Sequence, residues 1–268
     1  MNSMKKLLVL SISFTLVACG KSAVEQLDTG NTTEIVNGKR VTESTDLSES
    51  TVSILLESDD GYSSQCTGTI IGKNLVLTAA HCVSEEKMYL SQNKSHQNGI
   101  KSKKGLLGVV TKAVESNEAD IAILKFAPYD SSASYKIRAL PPQDFVIPKN
   151  AKFEFIGYGI TGPNKEDSGI LRTTSLPTNT LYPSLWIEGN QMVEPGTLII
   201  NQTKTGINLG DSGGPLYVRS KSGEVTMVGN ISAMRDWLDE DDEFIILLKA
   251  TDLRTYLPWI KRNIQALQ

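Results

Sequence analysis

Short apolar segments separated by turn-forming residues recur along most of this chain, and they constrain its fold more than any other feature. They begin at Ile35 and are bounded by Gly, Pro, Asn and Asp, with no helical period between them. Many short strands without intervening helices are typical of an all-β barrel or sandwich, rather than of an alternating α/β fold. The clearest segments are 52–56, 69–77, 121–126, 153–156, 198–200 and 225–231.

The C-terminal segment is the exception, because its apolar residues recur at helical spacing. These residues are Leu253, Leu257, Ile260, Ile264 and Leu267. Polar and charged residues lie between them, so the pattern predicts one amphipathic helix at about 252–267. Thr251 or Asp252 would cap its first turn. We expect this helix to pack on a barrel and to have no chemical role.

The composition fits a globular protein and excludes one class of partner. The chain has 268 residues, of which 40% are hydrophobic and 21% are charged, and its net charge is −3. Such a chain can bury a sizeable core, but it has no basic field for binding nucleic acid. We therefore expect no nucleic-acid partner, and we expect a monomer.

The first nineteen residues have the composition of an export signal. Lys5 and Lys6 precede the apolar run 7–17, which is too short to span a bilayer permanently. The run ends in Leu16-Val17-Ala18-Cys19, which resembles the lipobox of bacterial lipoproteins. The resemblance implies a signal peptide at 1–18 and a lipid on Cys19. Because Gly20 follows Cys19, the enteric sorting pattern favours the outer membrane. The alternative is an ordinary signal peptide with an incidental cysteine.

Residues 20–34 are polar with only scattered apolar side chains, so they cannot bury a face. We interpret residues 19–34 as a lipidated tether. Acylation of Cys19 would leave two of the three cysteines, Cys66 and Cys82, free to pair in an oxidising compartment. Two buried thiols are the alternative.

The strongest chemical signal is the segment Gly210-Asp211-Ser212-Gly213-Gly214-Pro215. Nucleophilic acyl transfer requires a serine on a tight turn beside backbone N–H groups that can point at an oxyanion, and glycines permit that close approach. The segment resembles the nucleophile signature of the trypsin/chymotrypsin family of serine endopeptidases. The resemblance implies that Ser212 is the nucleophile and that the N–H groups of Gly210 and Ser212 form the oxyanion hole.

Two further segments resemble the same family. Leu77-Thr78-Ala79-Ala80-His81-Cys82 is similar to the segment around the catalytic histidine, and imidazole titrates near neutrality, as a general base requires. In the segment 119–124, Asp120 opens an apolar strand and needs a polar partner if it is buried. By resemblance it holds His81 in the productive tautomer. The order His81, Asp120, Ser212 is that of chymotrypsin.

The resemblance covers most of residues 35–268, which we expect to form the peptidase domain. It implies two six-stranded antiparallel Greek-key β-barrels followed by the C-terminal α-helix, with no cofactor and no metal. Protein or peptide substrates are the implied partners. One alternative is a catalytically silent lipoprotein that keeps the barrels as a binding or adhesive module. Another is an esterase that uses the same three residues.

The segment Ile35-Val36-Asn37-Gly38 resembles the new N-terminus of an activated family zymogen. By resemblance, an activating protease cleaves before Ile35, and the freed ammonium pairs with Asp211. Cleavage there would also separate the enzyme from its lipid anchor. The mature enzyme would then be periplasmic or extracellular. The alternative is a first β-strand without processing.

Substrate preference rests on weaker signals. In the family, the residue six before the nucleophile lies at the base of the primary pocket, and here it is Gly206, followed by Ile207. The strand that contains Ser232 and Met234 would pair with the substrate backbone. Met234 would shorten the pocket, which predicts a preference for small or medium apolar residues. We interpret the acidic run 239–243 as a solvated loop.

The second histidine of the chain, His96, lies in the polar stretch 91–98. We interpret this stretch as a solvent-exposed loop and expect no role for His96.

Overall fold

The computed structural model describes residues 38–59, 61–96, 100–162, 167–182, 185–187, 190–192, 195–202, 205–238 and 244–268. The strands are β1 (Lys39–Arg40), β2 (Thr51–Ser58), β3 (Gly61–Gly72), β4 (Leu75–Thr78), β5 (Met88–Ser91), β6 (Gly108–Glu115), β7 (Ala122–Pro128), β8 (Lys152–Gly157), β9 (Arg172–Pro177), β10 (Leu181–Tyr182), β11 (Leu185–Ile187), β12 (Asn190–Met192), β13 (Thr197–Asn201), β14 (Pro215–Arg219), β15 (Val225–Leu238) and β16 (Phe244–Asp252). The helices are α1 (Asp46–Ser50) and α2 (Leu253–Leu267), with 3₁₀ turns at Ala80–Cys82, Lys103–Gly105 and Thr178–Thr180.

The first half of the described chain forms a closed six-stranded barrel in the order β2-β3-β4-β7-β6-β5. All of its strand pairs are antiparallel. Register shifts interrupt the ladders in β2, β3 and β6. Such bulges bend and twist strands, which allows a small sheet to close on itself. The interior is filled by buried apolar side chains, among them Val52, Ile54, Ile70, Val76, Leu90, Leu124 and Phe126.

The second half forms an eight-stranded antiparallel sheet in the order β1-β9-β8-β14-β15-β16-β13-β10. The outermost strands, β1 and β10, have two residues each. Six longer strands lie between them, over a core that includes Phe153, Phe155, Ile200, Leu216, Val228 and Leu248. The predicted all-β class and C-terminal helix are confirmed. The second unit differs in detail from a six-stranded barrel, because short edge strands extend it to eight.

One apolar cluster joins the two halves to the C-terminal helix. It contains Leu77 and Ile123 from the barrel, Tyr158 and Tyr217 from the sheet unit, and Ile260 from α2. All five side chains are at most 1% exposed. Because this cluster is continuous, side chains carried by the two halves are held at a fixed spacing where the halves meet.

The C-terminal helix begins and ends close to its predicted bounds. The Asp252 side chain accepts a hydrogen bond from the Arg254 N–H at 3.0 Å and caps the first turn. Pro258 lies inside the helix and has no N–H for the Arg254 carbonyl. That carbonyl accepts a hydrogen bond from Gln143 Nε2 at 3.3 Å instead. Within the part of the chain that the structure describes, no helix combines the length and apolarity needed to cross a membrane.

The interpretation of the polar stretch 91–98 as a solvent-exposed loop is wrong at His96, which is 7% exposed. Its Nε2 lies 3.2 Å from Ser53 Oγ, and its ring centroid lies 5.2 Å from that of Tyr158. A bridge between Ser95 and Ile170 holds this segment against the sheet unit. Burial lowers the pKa of His96. The polarity of the segment does not predict the burial of His96, because the residues that cover it are distant in the sequence.

A disulfide joins Cys66 in β3 to Cys82 in the 3₁₀ turn that follows β4, as predicted. Their Cα atoms are 6.1 Å apart and their sequence separation is 16 residues. Both residues belong to the barrel core. The bond therefore fixes the turn that carries His81 to the neighbouring strand.

Removal of this disulfide should destabilise the protein. A Cys66→Ser/Cys82→Ser variant should lose about 2–4 kcal/mol of unfolding free energy, because the unfolded chain regains the freedom of the closed loop. Urea denaturation measures the difference. The parent in excess dithiothreitol is the control and should match the variant. A variant as stable as the oxidised parent would contradict the expectation.

Candidate active site

The three residues predicted to be catalytic meet at an open cavity of about 390 Å³ between the two halves of the fold. The cavity is lined by His81, Asp120, Ile207, Asn208, Leu209, Ser212, Ser232, Ala233 and Met234. The barrel contributes the histidine and the aspartate, and the sheet unit contributes the serines. A larger groove of about 750 Å³ lies beside β1, but its described lining contains no serine, cysteine or histidine. The smaller cavity is therefore the one with groups suited to acyl transfer.

His81 and Asp120 form a doubly hydrogen-bonded pair. His81 lies in the 3₁₀ turn after β4, and Asp120 lies two residues before β7, which pairs with β4. The His81 N–H donates to Asp120 Oδ1 at 3.0 Å, and Nδ1 lies 2.8 Å from Oδ2. The hydrogen bond that the Asp120 carboxylate accepts from the imidazole raises the pKa of His81, and partial burial opposes the increase. The pair therefore favours a protonated imidazole.

Ser232 completes the surroundings of the Asp120 carboxylate. A register shift in β15 between Ile231 and Ala233 makes Ser232 the extra residue of a bulge. Its hydroxyl donates to Asp120 Oδ2 at 2.6 Å. Burial raises the pKa of Asp120, but the hydrogen bonds from His81 and Ser232 outweigh it and lower the pKa overall. The sequence suggested substrate binding for Ser232 and contains no signal for this contact.

The turn around Ser212 depends on glycine and on contacts with Thr67 of the barrel. Gly210 and Gly213 have φ values of 95° and 78°, which side-chain-bearing residues rarely adopt. Thr67 donates from Oγ1 to the Gly210 carbonyl at 2.8 Å and from its N–H to the Ser212 carbonyl at 2.9 Å. The N–H groups of Gly210 and Ser212 have no acceptor within the described part of the chain. These two donors are therefore available to a ligand.

No hydrogen bond joins His81 to Ser212 among the described residues. The two side chains nevertheless line the same cavity. Contacts between a base and a nucleophile are often loose before substrate binds and tighten in the complex.

Asp211 is buried behind the nucleophile turn, with 1% of its surface exposed. Its Oδ1 accepts from the Gly159 N–H at 2.8 Å, and its Oδ2 accepts from the Asn208 N–H at 2.9 Å. A Cβ on Gly157 or Gly159 would lie 2.2–2.6 Å from the carboxylate, so both positions require glycine. Burial raises the pKa of Asp211 to about 6, against the lowering effect of these hydrogen bonds and of Arg172.

Comparison with known proteins assigns this arrangement to a family. The family model described as Trypsin matches residues 35–260. The chain belongs to the trypsin family.

Individual relatives are similar to this trypsin-family chain over shorter stretches. Chymotrypsin-like elastase family member 1 of Canis lupus familiaris is 28% identical over an alignment of 181 residues, and the alignment covers 61% of this chain and 68% of that protein. The Homo sapiens protein of the same name is 26% identical over 169 residues, 57% of this chain and 64% of that protein. Ovochymase of Halocynthia roretzi is 28% identical over 181 residues, 63% of this chain but only 11% of that protein. These relationships support the class of serine endopeptidase.

The residues expected to govern specificity in this trypsin-family chain are only partly in the cavity wall. Ile207, Ser232 and Met234 line it, and Met234 is 38% exposed. Gly206 is buried beneath that wall rather than exposed in it. Leu209 also lines the cavity and is 66% exposed, although the sequence analysis did not select it.

Several predictions concern residues that the structure does not describe. Ile35 and Cys19 lie outside the described residues, as does the acidic run 239–243. One group of potential metal ligands occurs among the described residues, namely Cys66, Cys82 and His81. Both of its sulfur atoms are committed to the disulfide.

The raised pKa of Asp211 predicts how stability depends on pH before any processing at Ile35. The folded chain holds a proton on Asp211 up to about pH 6, whereas the unfolded chain releases it near pH 3.8. The folded chain therefore binds more protons in this window, and the free energy of unfolding should fall as pH rises through it.

Asp211 should contribute on the order of 2–3 kcal/mol to this fall between about pH 4 and pH 6. Other carboxylates titrate in the same window, so thermal unfolding of the unprocessed chain should be compared with that of Asp211→Asn. The variant should lose this part of the slope. Identical slopes in the two proteins would contradict the assignment.

Proposed function

We propose that this trypsin-family chain hydrolyses peptide bonds through an acyl-enzyme, with His81, Asp120 and Ser212 as its catalytic triad. The observation that carries the proposal is the hydrogen-bonded His81–Asp120 pair facing Ser212 across one cavity. The peptidase domain would comprise residues 35–268 and require no cofactor.

The geometry of the histidine supports its role as the base. With Nδ1–H directed at Asp120, the Nε2 atom is left to accept the Ser212 proton during attack. Asp120 stabilises the imidazolium that this transfer produces, and the raised pKa of His81 reflects that stabilisation. His81 then returns the proton to the leaving amine, and the same steps activate water for deacylation.

The unpartnered N–H groups of Gly210 and Ser212 support their assignment as the oxyanion hole. Donors that are fixed before the reaction stabilise the tetrahedral oxyanion without reorganisation. A catalytically silent binding module is not favoured, because it would have no need for a free pair of donors beside a serine and a histidine–aspartate pair.

Asp211 supports activation by cleavage before Ile35. Its buried carboxylate has a raised pKa, so a nearby cation would relieve the cost of ionising it. In the strand register, Arg40 of β1 lies opposite Arg172 of β9, and Arg172 lies opposite Gly157 of β8. Gly157 borders the Asp211 carboxylate. Two strand spacings amount to about 10 Å. The five residue-to-residue steps from Ile35 to Arg40 can span up to about 17 Å, so the freed ammonium could reach Asp211.

The same cleavage would release the enzyme from its membrane anchor. In this proposal Cys19 carries lipid, residues 19–34 form the tether, and an activating protease separates a soluble periplasmic or extracellular enzyme. The disulfide between Cys66 and Cys82 is consistent with export to an oxidising compartment. The Met234 side chain at the cavity supports small or medium apolar residues on the amino side of the cleaved bond.

Replacement of the nucleophile should abolish the activity. Processed Ser212→Ala should hydrolyse casein at least about 10⁴-fold more slowly than the parent, because the acyl-enzyme can no longer form. It should also fail to react with a fluorophosphonate probe. Ser222→Ala, which changes an exposed serine in a turn, is the matched control and should behave as the parent. A Ser212→Ala protein as active as the control would refute the proposal.

Activity should also depend on the free ammonium of Ile35. A protein that begins at Ile35 should be active, whereas the same protein extended by the preceding residues should react poorly with the fluorophosphonate. In the processed form, Asp211→Asn should lower kcat/KM at least about 100-fold, because the ammonium would lose its buried partner. N-terminal sequencing of the natural active form provides a further check. A fully active protein that still begins at Cys19 would contradict this activation.

A further inference from the structure

A buried glutamine lies directly beneath the wall of the active-site cavity. Gln202 follows β13 and is 5% exposed. Its backbone N–H donates to the Ile246 carbonyl at 2.8 Å, which ties it to β16. Its side-chain Oε1 accepts a hydrogen bond from the Ile207 N–H at 2.5 Å. Because a backbone N–H can only donate, this bond fixes which end of the amide faces Ile207.

The carboxamide of Gln202 occupies the space that a side chain at position 206 would need. A Cβ on Gly206 would lie 1.6 Å from Gln202 Oε1 and 2.3 Å from Cδ. Both distances are far inside van der Waals contact, so the Gln202 carboxamide can occupy this position only because residue 206 is a glycine. The floor beneath Ile207 is thus filled from a neighbouring segment rather than by residue 206 itself.

The residues at this floor are linked to the cavity lining by the polypeptide chain. Gly206 directly precedes Ile207 and Asn208, and both of these residues line the cavity beside Ser212. Met234 lines the same cavity and remains 38% exposed. Gln202 lies behind the lining residue Ile207, to which it is hydrogen-bonded.

The carboxamide cannot move aside without a cost. Its displacement would leave the N–H of Ile207, a residue that is 4% exposed, without its acceptor. The other amide atom, Nε2, is buried and has no acceptor among the residues that the structure describes. The bond from Ile207 is therefore the polar contact that holds the carboxamide in place.

We propose that Gln202 is the floor of the primary specificity pocket and restricts cleavage to bonds that follow short side chains such as Ala and Val. The proposal rests on the proposed peptidase function and adds a specificity-determining residue to it. A longer side chain such as Leu or Phe would meet the carboxamide before its backbone reached Ser212.

The test compares peptide substrates that differ only in the residue before the cleaved bond, namely Ala, Val, Leu or Phe. The parent should prefer Ala and Val. Gln202→Ala should raise the kcat/KM for Leu relative to that for Ala by about tenfold or more, because each methylene admitted to an apolar pocket has an effect of this size. Gln202→Met, which keeps the volume but removes the amide, is the matched control and should retain the order of the parent.

The Met234→Gly variant distinguishes the effect of Gln202 from the effect of Met234. If this variant accepts Leu and Phe freely while Gln202→Ala keeps the parent's order, Met234 alone sets the pocket size and the proposal fails. Should Gln202→Ala not fold, Met234→Gly, which lacks the Met234 side chain, can be labelled with peptidyl phosphonates that carry Ala or Phe at the same position. Faster labelling by the Ala reagent would support the proposal, whereas equal rates would overturn it.

An alkyl fluorophosphonate distinguishes this proposal from the proposed function. It reports a reactive Ser212 without filling the specificity pocket. A parent that reacts with it but accepts Phe as well as Ala would overturn only the role of Gln202. A processed parent that does not react would overturn the peptidase mechanism itself.

Discussion

The burial of the Asp211 carboxylate is the interaction on which the active site depends. Two backbone N–H groups, from Gly159 and Asn208, hold it behind the turn that carries Ser212. Glycines at 157 and 159 leave the required space, since a Cβ at either position would clash with the carboxylate. A buried carboxylate with a raised pKa is costly to ionise, and a cation beside it would remove that cost. In the activation that we propose, the same group would hold the turn in shape and make its final state depend on processing.

The site is divided between the two halves of the fold, so its geometry depends on how they meet. His81 and Asp120 come from the barrel, whereas Ser212 and Ser232 come from the sheet unit. The apolar cluster shared by both halves and α2 fixes their spacing, and the disulfide fixes the turn of His81. Hydrogen bonds from Thr67 to the Gly210 and Ser212 carbonyls cross the same junction. Packing energy distributed over many side chains thus maintains the short distances between the site residues of the two halves.

We propose that specificity in this site arises from side chains that are far apart in sequence. Met234 lies on β15, and Gln202 follows β13 and reaches beneath Ile207. At Gly206, the Gln202 carboxamide occupies the space that a side chain of residue 206 would fill. Under this proposal, the pocket floor is supplied by the residue that follows β13, and the substrate range depends on one buried amide.

The sequence by itself determined the fold class, the C-terminal helix and the segments around positions 81, 120 and 212. These features are encoded locally, in the spacing of apolar residues and in short runs whose chemistry requires particular neighbours. Only the tertiary structure decided that His96 is buried, that Ser232 donates to Asp120 and that Gln202 fills the space beside Gly206. The first two are contacts between segments distant in the chain, and the third arises where the chain folds back on itself after β13. Such contacts depend on strand register, on a bulge or on the packing of one unit against another, and no local pattern of residues specifies them.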